Sequence, residues 1–239
     1  MSAPKFRIMS IDMLERLSAI ASVLDRIREP YRASLDGNEQ YDDFDGVAAL
    51  WSSMKADARL KRLVESIIFF EQPVKRQKAL QQKVAGIDKP VIIDESDDSM
   101  DAFPRARALG YKGVSSKTCK GIYRSLVNGA RCAAWGDSYF LSGEDLTIQA
   151  GIALQQDLAL VSLLGIKHVE RNGHHYVNGM ADLPEAEQAA FLAAHPDLYE
   201  SSHGAARLRI DGGNISIGSL DCAGYASAAM PDWNSMKEM

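Results

Sequence analysis

Cysteine is scarce in this chain. The 239 residues contain three, Cys119, Cys132 and Cys222, and no two stand in Cys-x-x-Cys spacing. That leaves no zinc or thioredoxin-like motif, and the three read as free, buried thiols of a reducing cytoplasm. Long apolar runs are absent too: none approaches the roughly 20 residues of a membrane helix, and Met1–Lys5 lacks the apolar core of a signal peptide. Basic charge is not in excess, since the formal net charge is −5, and nothing points to nucleic acid or an anionic membrane surface. Internal repeats and low-complexity segments are missing. What remains, 46% hydrophobic and 25% charged residues, is the composition of a globular protein with a real core.

The chain alternates strand-like and helix-like segments. Short apolar runs lie at Lys5–Met9, Tyr31–Asp36, Ser66–Glu71, Pro90–Asp94, Gly113–Lys117, Asp137–Leu141 and Ile166–Glu170. Between them, apolar residues recur at three-and-four spacing and predict helices over about 12–27, 45–63, 75–84, 100–109 and 121–134, and a long helix that follows Ser142-Gly-Glu-Asp145 and runs to Leu164. Asp12 reads as the cap of the first, and Gly110 as the stop of the fourth. Such alternation predicts a parallel sheet with crossover helices. The chain changes character in its last part, with a helix near 184–194, a strand near 207–210, and a turn at Asp211-Gly-Gly. The expected division is therefore 1–171 and 172–239.

Four of these runs close on a charged residue: Asp36, Glu71, Asp94 and Lys117. In a parallel barrel the C-terminal ends of all strands share one mouth. Three acids converging there would repel one another unless a hard cation lies between them, and oxygen-only ligands suit Mg²⁺ or Mn²⁺. Other polar residues leave two readings open. Asn38 either positions a ligand or stabilises its turn; Glu95 either supports a ligand or starts a helix. Glu144 and Asp145 either touch substrate or cap the following helix. The adjacent His174 and His175 point to opposite faces of any strand, and they read as solvated loop.

The motifs Asp36-Gly-Asn38, Phe70-Glu71-Gln-Pro73, Ile93-Asp94-Glu-Ser96 and Ser116-Lys117-Thr-Cys-Lys120-Gly121 together resemble the mandelate racemase/muconate lactonizing enzyme branch of the enolase superfamily. The resemblance covers about residues 5–170. It implies an α/β fold, a (β/α)7β TIM-type barrel truncated to its second to eighth strands, without the family's N-terminal capping domain and with a C-terminal tail. It also implies that Asp36, Glu71 and Asp94 bind one Mg²⁺ and that Lys117 is an acid or base. Lys5-Phe-Arg7 resembles the family's Lys-x-Lys motif, with arginine in place of the second lysine. No histidine closes the Glu144 strand, which favours the lysine subgroup.

The chemistry follows from the residue types. A proton beside a carboxylate is weakly acidic because its loss places a second negative charge on the same group, and a divalent cation stabilises the resulting enolate. Lysine can lose its proton in a protein; arginine cannot. Lys117 is thus the candidate base, with Lys5 and Arg7 as cationic neighbours, and Asn38, Glu144 and Asp145 as substrate-side groups. A single base suits dehydration or cycloisomerisation better than racemisation. The expected partner is a small carboxylate, such as an acid sugar. An open barrel edge would also invite association into a homo-oligomer. The second reading of the chain is a non-catalytic remnant of such an enzyme.

Overall fold

The computed structural model describes residues 13–144, 150–173 and 176–236 in full, and the backbone alone of 5–7. The described residues fall into two compact units, one of 5–116 with 126–142 and the other of 117–125 with 143–236.

The first unit is built on parallel strands. β1 (Lys5–Arg7), β2 (Ala33–Asp36), β3 (Ile67–Glu71), β4 (Val91–Ile93) and β5 (Gly113–Ser116) pair in chain order. Leu35, Phe70, Ile92, Ile93 and Val114 are buried, as expected of strands covered on both faces. Between strands lie α1 (Met13–Leu24), α2 (Phe44–Ala56), α3 (Lys61–Ser66), α4 (Arg76–Ala79), α5 (Ala102–Ala108) and α6 (Ile122–Trp135). Consecutive parallel strands with helical crossovers are the topology of a TIM-type barrel. Asp43 caps α2 by accepting from the Gly46 amide, and the helix buries Val47, Trp51 and Met54 on one side. Trp51 meets Phe70 edge to face at 5.3 Å.

Where the helices differ from expectation, hydrogen bonds explain it. The helix predicted over 45–63 breaks at Asp57, which is extended (φ −84°, ψ 112°) and whose carboxylate accepts from the Arg59 amide. Aspartate competes with helical bonding in this way. The helix predicted over 75–84 shrinks to the single turn α4. There the Val84 amide donates to the Leu109 carbonyl (2.8 Å), and the Tyr111 hydroxyl donates to the Ala79 carbonyl (3.1 Å). The strand predicted over 137–141 is found three residues later as β6 (Phe140–Glu144), because a turn closed by the Tyr139 amide on the Gly136 carbonyl (3.0 Å) occupies its start.

The second unit takes the end of β6, which pairs in parallel with β7 (Val169–Glu170), Gly143 facing Val169 and Glu144 facing Glu170. It adds α7 (Ile152–Leu163), α8 (Glu185–Ala194) and the antiparallel pair β8 (Tyr199–Ser202) and β9 (Ala205–Leu208). β8 is absent from the sequence-based reading; its partner begins slightly before the strand expected near 207–210. His203 and Gly204 make the hairpin turn, both at positive φ (52° and 77°), the two-residue loop that fits strand twist. Leu154, Leu158, Met180, Phe191, Leu198 and Tyr199 form this unit's apolar core. None of the three cysteines forms a disulfide, and none is buried as expected: Cys132 and Cys222 are half-buried and Cys119 is exposed, in a 3-10 turn at Thr118–Lys120. No helix among the described residues is long and apolar enough to cross a membrane. The expected helix cap Asp12 and the pair His174 and His175 lie outside the described residues.

The exits of β2 and β3 are in close contact. Gly37 donates its amide to the Glu71 carbonyl (2.8 Å), and a Cβ at Gly37 would stand 2.3 Å from the Pro73 Cα. Gly37→Ala should therefore cost about 1–3 kcal/mol of stability, read by chemical denaturation. An unchanged midpoint would show that the two loops can part.

Candidate metal centre

Parallel register decides which side chains share a face. Asp36 is the register partner of Glu71, and Glu71 of Ile92. Asp94, two residues beyond Ile92, therefore points the same way as Asp36 and Glu71. On the next strand Ile92 faces Gly113. The same parity selects Ser115 and then Lys117, whose backbone is still extended (φ −136°, ψ 139°). Asp36, Glu71 and Asp94 thus belong to one face at the same end of their strands, and Lys117 continues β5 into the other unit.

Depth separates them. Glu71 is fully buried and Asp94 is 4% exposed, and a carboxylate oxygen of each lies within 4.8 Å of the other. Asp36 is half-buried, and its carboxylate accepts from the Asn38 amide (2.8 Å). Asn38 both closes this turn and reaches Glu95, donating from its side chain to Oε1 (3.3 Å). Its two readings, turn and contact, are compatible.

Glu95, next to Asp94 in the chain, is a strongly perturbed acid. Burial, followed by the negative charges of Asp94, Asp36 and Glu39, pushes its carboxyl up to about 7, and its Oε2 is buried without a hydrogen-bond partner. Glu39 is held in the opposite direction. Arg76 donates to it at 2.8 and 2.6 Å and keeps its carboxyl below the ordinary value. Three residues at these strand ends, Asn38, Glu39 and Gln72, adopt positive φ (40°, 64° and 32°). For non-glycine residues this is uncommon, and such strain concentrates at functional sites.

Gln72 escaped the sequence reading, where it was only the middle of Glu71-Gln-Pro73. It is fully buried. Its Oε1 accepts from the amides of Asp94 (2.8 Å) and Ser96 (3.1 Å). Its Nε2 donates to the Val74 carbonyl (2.8 Å) and to the Ser96 hydroxyl (2.7 Å). An amide side chain has two donor hydrogens and two acceptor sites, and all four are used. An apolar residue there would strand buried backbone groups at about 1–3 kcal/mol each. No local pattern announces such a role; only the folded loops show it.

Buried carboxylates on adjacent strands form a donor set for a hard cation. Two oxygens on one Mg²⁺ lie up to about 4 Å apart and on one Ca²⁺ up to about 5 Å, from metal–oxygen distances of roughly 2.0–2.1 and 2.3–2.6 Å. The Glu71–Asp94 spacing, within 4.8 Å, fits such an ion with little or no closure.

In the other unit, the Lys117 ammonium pairs with Glu144 at 2.9 Å, both side chains being nearly buried at 9% and 11% exposure. Next to it, Thr118 donates to Asp157 (3.2 Å), which also pairs with Arg171 (2.8 Å). Of the remaining expected site residues, the side chains of Lys5 and Arg7 and the whole of Asp145 lie outside the described residues.

No family model and no curated protein matches the chain. Solved structures do. A mandelate racemase/muconate lactonizing protein from Herpetosiphon aurantiacus matches with a TM-score of 0.60 at 19% identity, over 87% of this chain and 54% of that one. Muconate lactonizing enzyme from Pseudomonas putida matches with a TM-score of 0.54 at 16% identity, over 74% and 48%. An enolase superfamily member from Roseovarius nubinhibens matches with a TM-score of 0.55 at 16% identity, over 86% and 50%. The likeness shows the fold, that of the barrel of these proteins, and the chain spans about half the length of the solved structures it matches.

The raised Glu95 carboxyl has a consequence for stability. Its folded value, about 7, lies above the ordinary glutamate value of 4.5, so the folded state holds the extra proton between these limits. Stability should fall as pH rises from about 4.5 to 7 and then level off. Glu95→Gln should flatten that fall and raise the thermal midpoint at pH 8. The same slope in wild type and variant would assign the effect to another group.

Proposed function

We propose that this chain is the metal-binding and proton-transferring barrel portion of an enolase-superfamily enzyme, a Mg²⁺- or Mn²⁺-dependent lyase or isomerase that abstracts the α-proton of a small carboxylate substrate. The reading rests first on one observation: two buried carboxylates, Glu71 and Asp94, within 4.8 Å of one another, at the ends of adjacent parallel strands and with Asp36 in register beside Glu71. The fold likeness to mandelate racemase/muconate lactonizing proteins supports it. In this reading the barrel portion is 1–171, with 172–239 as an extension.

Asp36, Glu71 and Asp94 are the metal ligands. The cation, when bound, neutralises the charge that builds on the substrate carboxylate as the neighbouring carbon loses its proton. Lys117 receives that proton at Nζ in its neutral form, its own proton having first passed to the Glu144 carboxylate 2.9 Å away. It is the lysine that follows β5, and the ion pair with Glu144 fixes its position. Asn38, Glu144 and Asp145 belong to the substrate side, where polar groups orient a carboxylate and the leaving group. Lys5 and Arg7 supply positive charge; arginine stays protonated in proteins and cannot be a second base. With one base, elimination chemistry such as dehydration, or cycloisomerisation, is favoured over racemisation.

Two variants test the assignment. Asp94→Asn should weaken Mg²⁺ binding at least tenfold in a calorimetric titration, and unchanged affinity would remove it from the ligand set. Lys117→Ala should leave Mg²⁺ affinity within about threefold. It should abolish solvent deuterium exchange at the α-carbon of whichever acid sugar, muconate or acylamino acid the unmodified chain exchanges. Exchange that survives in the variant would transfer the base to another residue.

A further inference from the structure

We infer that Gln72 is a positioning residue that sets the spacing of Glu71 and Asp94 and thereby makes the centre selective for a small divalent cation over a large one. This rests on the reading of those two acids as metal ligands. Gln72 follows Glu71 directly in the chain, and its side-chain oxygen accepts from the backbone amide of Asp94 itself (2.8 Å). One residue therefore links both ligands by the shortest available path: a peptide bond on one side and a hydrogen bond on the other. The link is also rigid. Gln72 has no exposed surface, and its remaining side-chain bonds run to the Ser96 amide and hydroxyl and to the Val74 carbonyl. Its own backbone is tied down twice, the amide to the Ile92 carbonyl (2.9 Å) and the carbonyl to the Glu39 amide (2.8 Å). The exits of β2, β3 and β4 thus meet at one residue, whose backbone is held at φ 32°.

Rigidity matters differently to different ions. Mg²⁺ demands near-octahedral geometry at short distances, whereas Ca²⁺ accepts longer bonds and irregular shells. Supporting groups around metal ligands typically change affinity by about 10–100-fold when removed. Loosening the link between Glu71 and Asp94 should therefore penalise the small ion selectively.

The test uses the full chain, with Mg²⁺ and Ca²⁺ titrated separately by calorimetry at a temperature where every variant is folded. Gln72→Met, of similar size but without the amide, should weaken Mg²⁺ binding by about tenfold or more and change Ca²⁺ binding by less than threefold. Ser96→Ala removes one of the four side-chain bonds and should move the Mg²⁺/Ca²⁺ ratio in the same direction by a smaller factor; it carries the test if Gln72→Met does not fold. A parallel loss for both ions, or no loss for either, would overturn the inference, since a merely structural role lowers the thermal midpoint without altering the ratio. Asp94→Asn separates the two levels. If it leaves both affinities unchanged, the metal reading itself fails; if it weakens them while Gln72→Met leaves the ratio intact, only the role of Gln72 fails.

Discussion

Two carboxylates buried side by side constrain everything around them. At a separation within 4.8 Å, like unit charges repel by roughly 3 kcal/mol even at an effective dielectric constant of 20. Nothing in apolar packing favours that arrangement. It is held by backbone: the parallel ladder of β2, β3 and β4 brings the chain ends to one edge, and the loops beyond them are locked. Gly37 must lack a side chain so that its loop can lie against Pro73. Gln72 must have an amide so that the Asp94 and Ser96 backbones have an acceptor. These are constraints on shape at a site of unfavourable charge, the pattern expected where stability gives way to chemistry.

The parts of this arrangement legible in the sequence were those with a local signature. An apolar run ending in a carboxylate or a lysine marks a strand and its exit, and β2 to β5 each lie inside the runs that suggested them. Period-two parity then carries Asp36, Glu71 and Asp94 to a common face without any knowledge of distances. The failures came where non-local bonds override local preference. Val84 and Ala79 give their backbone groups to Leu109 and Tyr111, residues far along the chain, so a helical pattern yields one turn. β8 has the sequence Tyr199-Glu-Ser-Ser202, too polar to stand out, and becomes a strand through its pairing with β9. Gln72 is the instructive omission. Glutamine between a glutamate and a proline carries no periodic or turn signal, and its meaning lies wholly in groups 22 and 24 residues away.

The second unit uses charge in a different way. Lys117 and Glu144 form a nearly buried pair, and Arg171 with Asp157 forms another. Burying a single charge would cost several kcal/mol, and a pair offsets that cost only when geometry is good and the remaining polar atoms are satisfied. Such pairs are weak contributors to stability but strong determinants of where a charged head stands. For the proton transfer proposed for Lys117, position matters more than stability, because the acceptor must stand within reach of the reacting carbon.

The acid cluster of the first unit can relieve its repulsion in two ways, by binding a cation or by taking up a proton. The second route is already visible in Glu95, whose carboxyl is raised to about 7 by burial and by Asp94, Asp36 and Glu39. Glu39 avoids it, because Arg76 supplies the compensating charge directly. On the proposed reading cation and proton are linked: an ion held by Asp94 and Asp36 would cancel charges that keep Glu95 protonated, and its binding would release part of a proton. Glu95 thus couples the ligand set to solvent pH through electrostatics alone, and its contact with Asn38 carries that coupling to the turn that closes on Asp36.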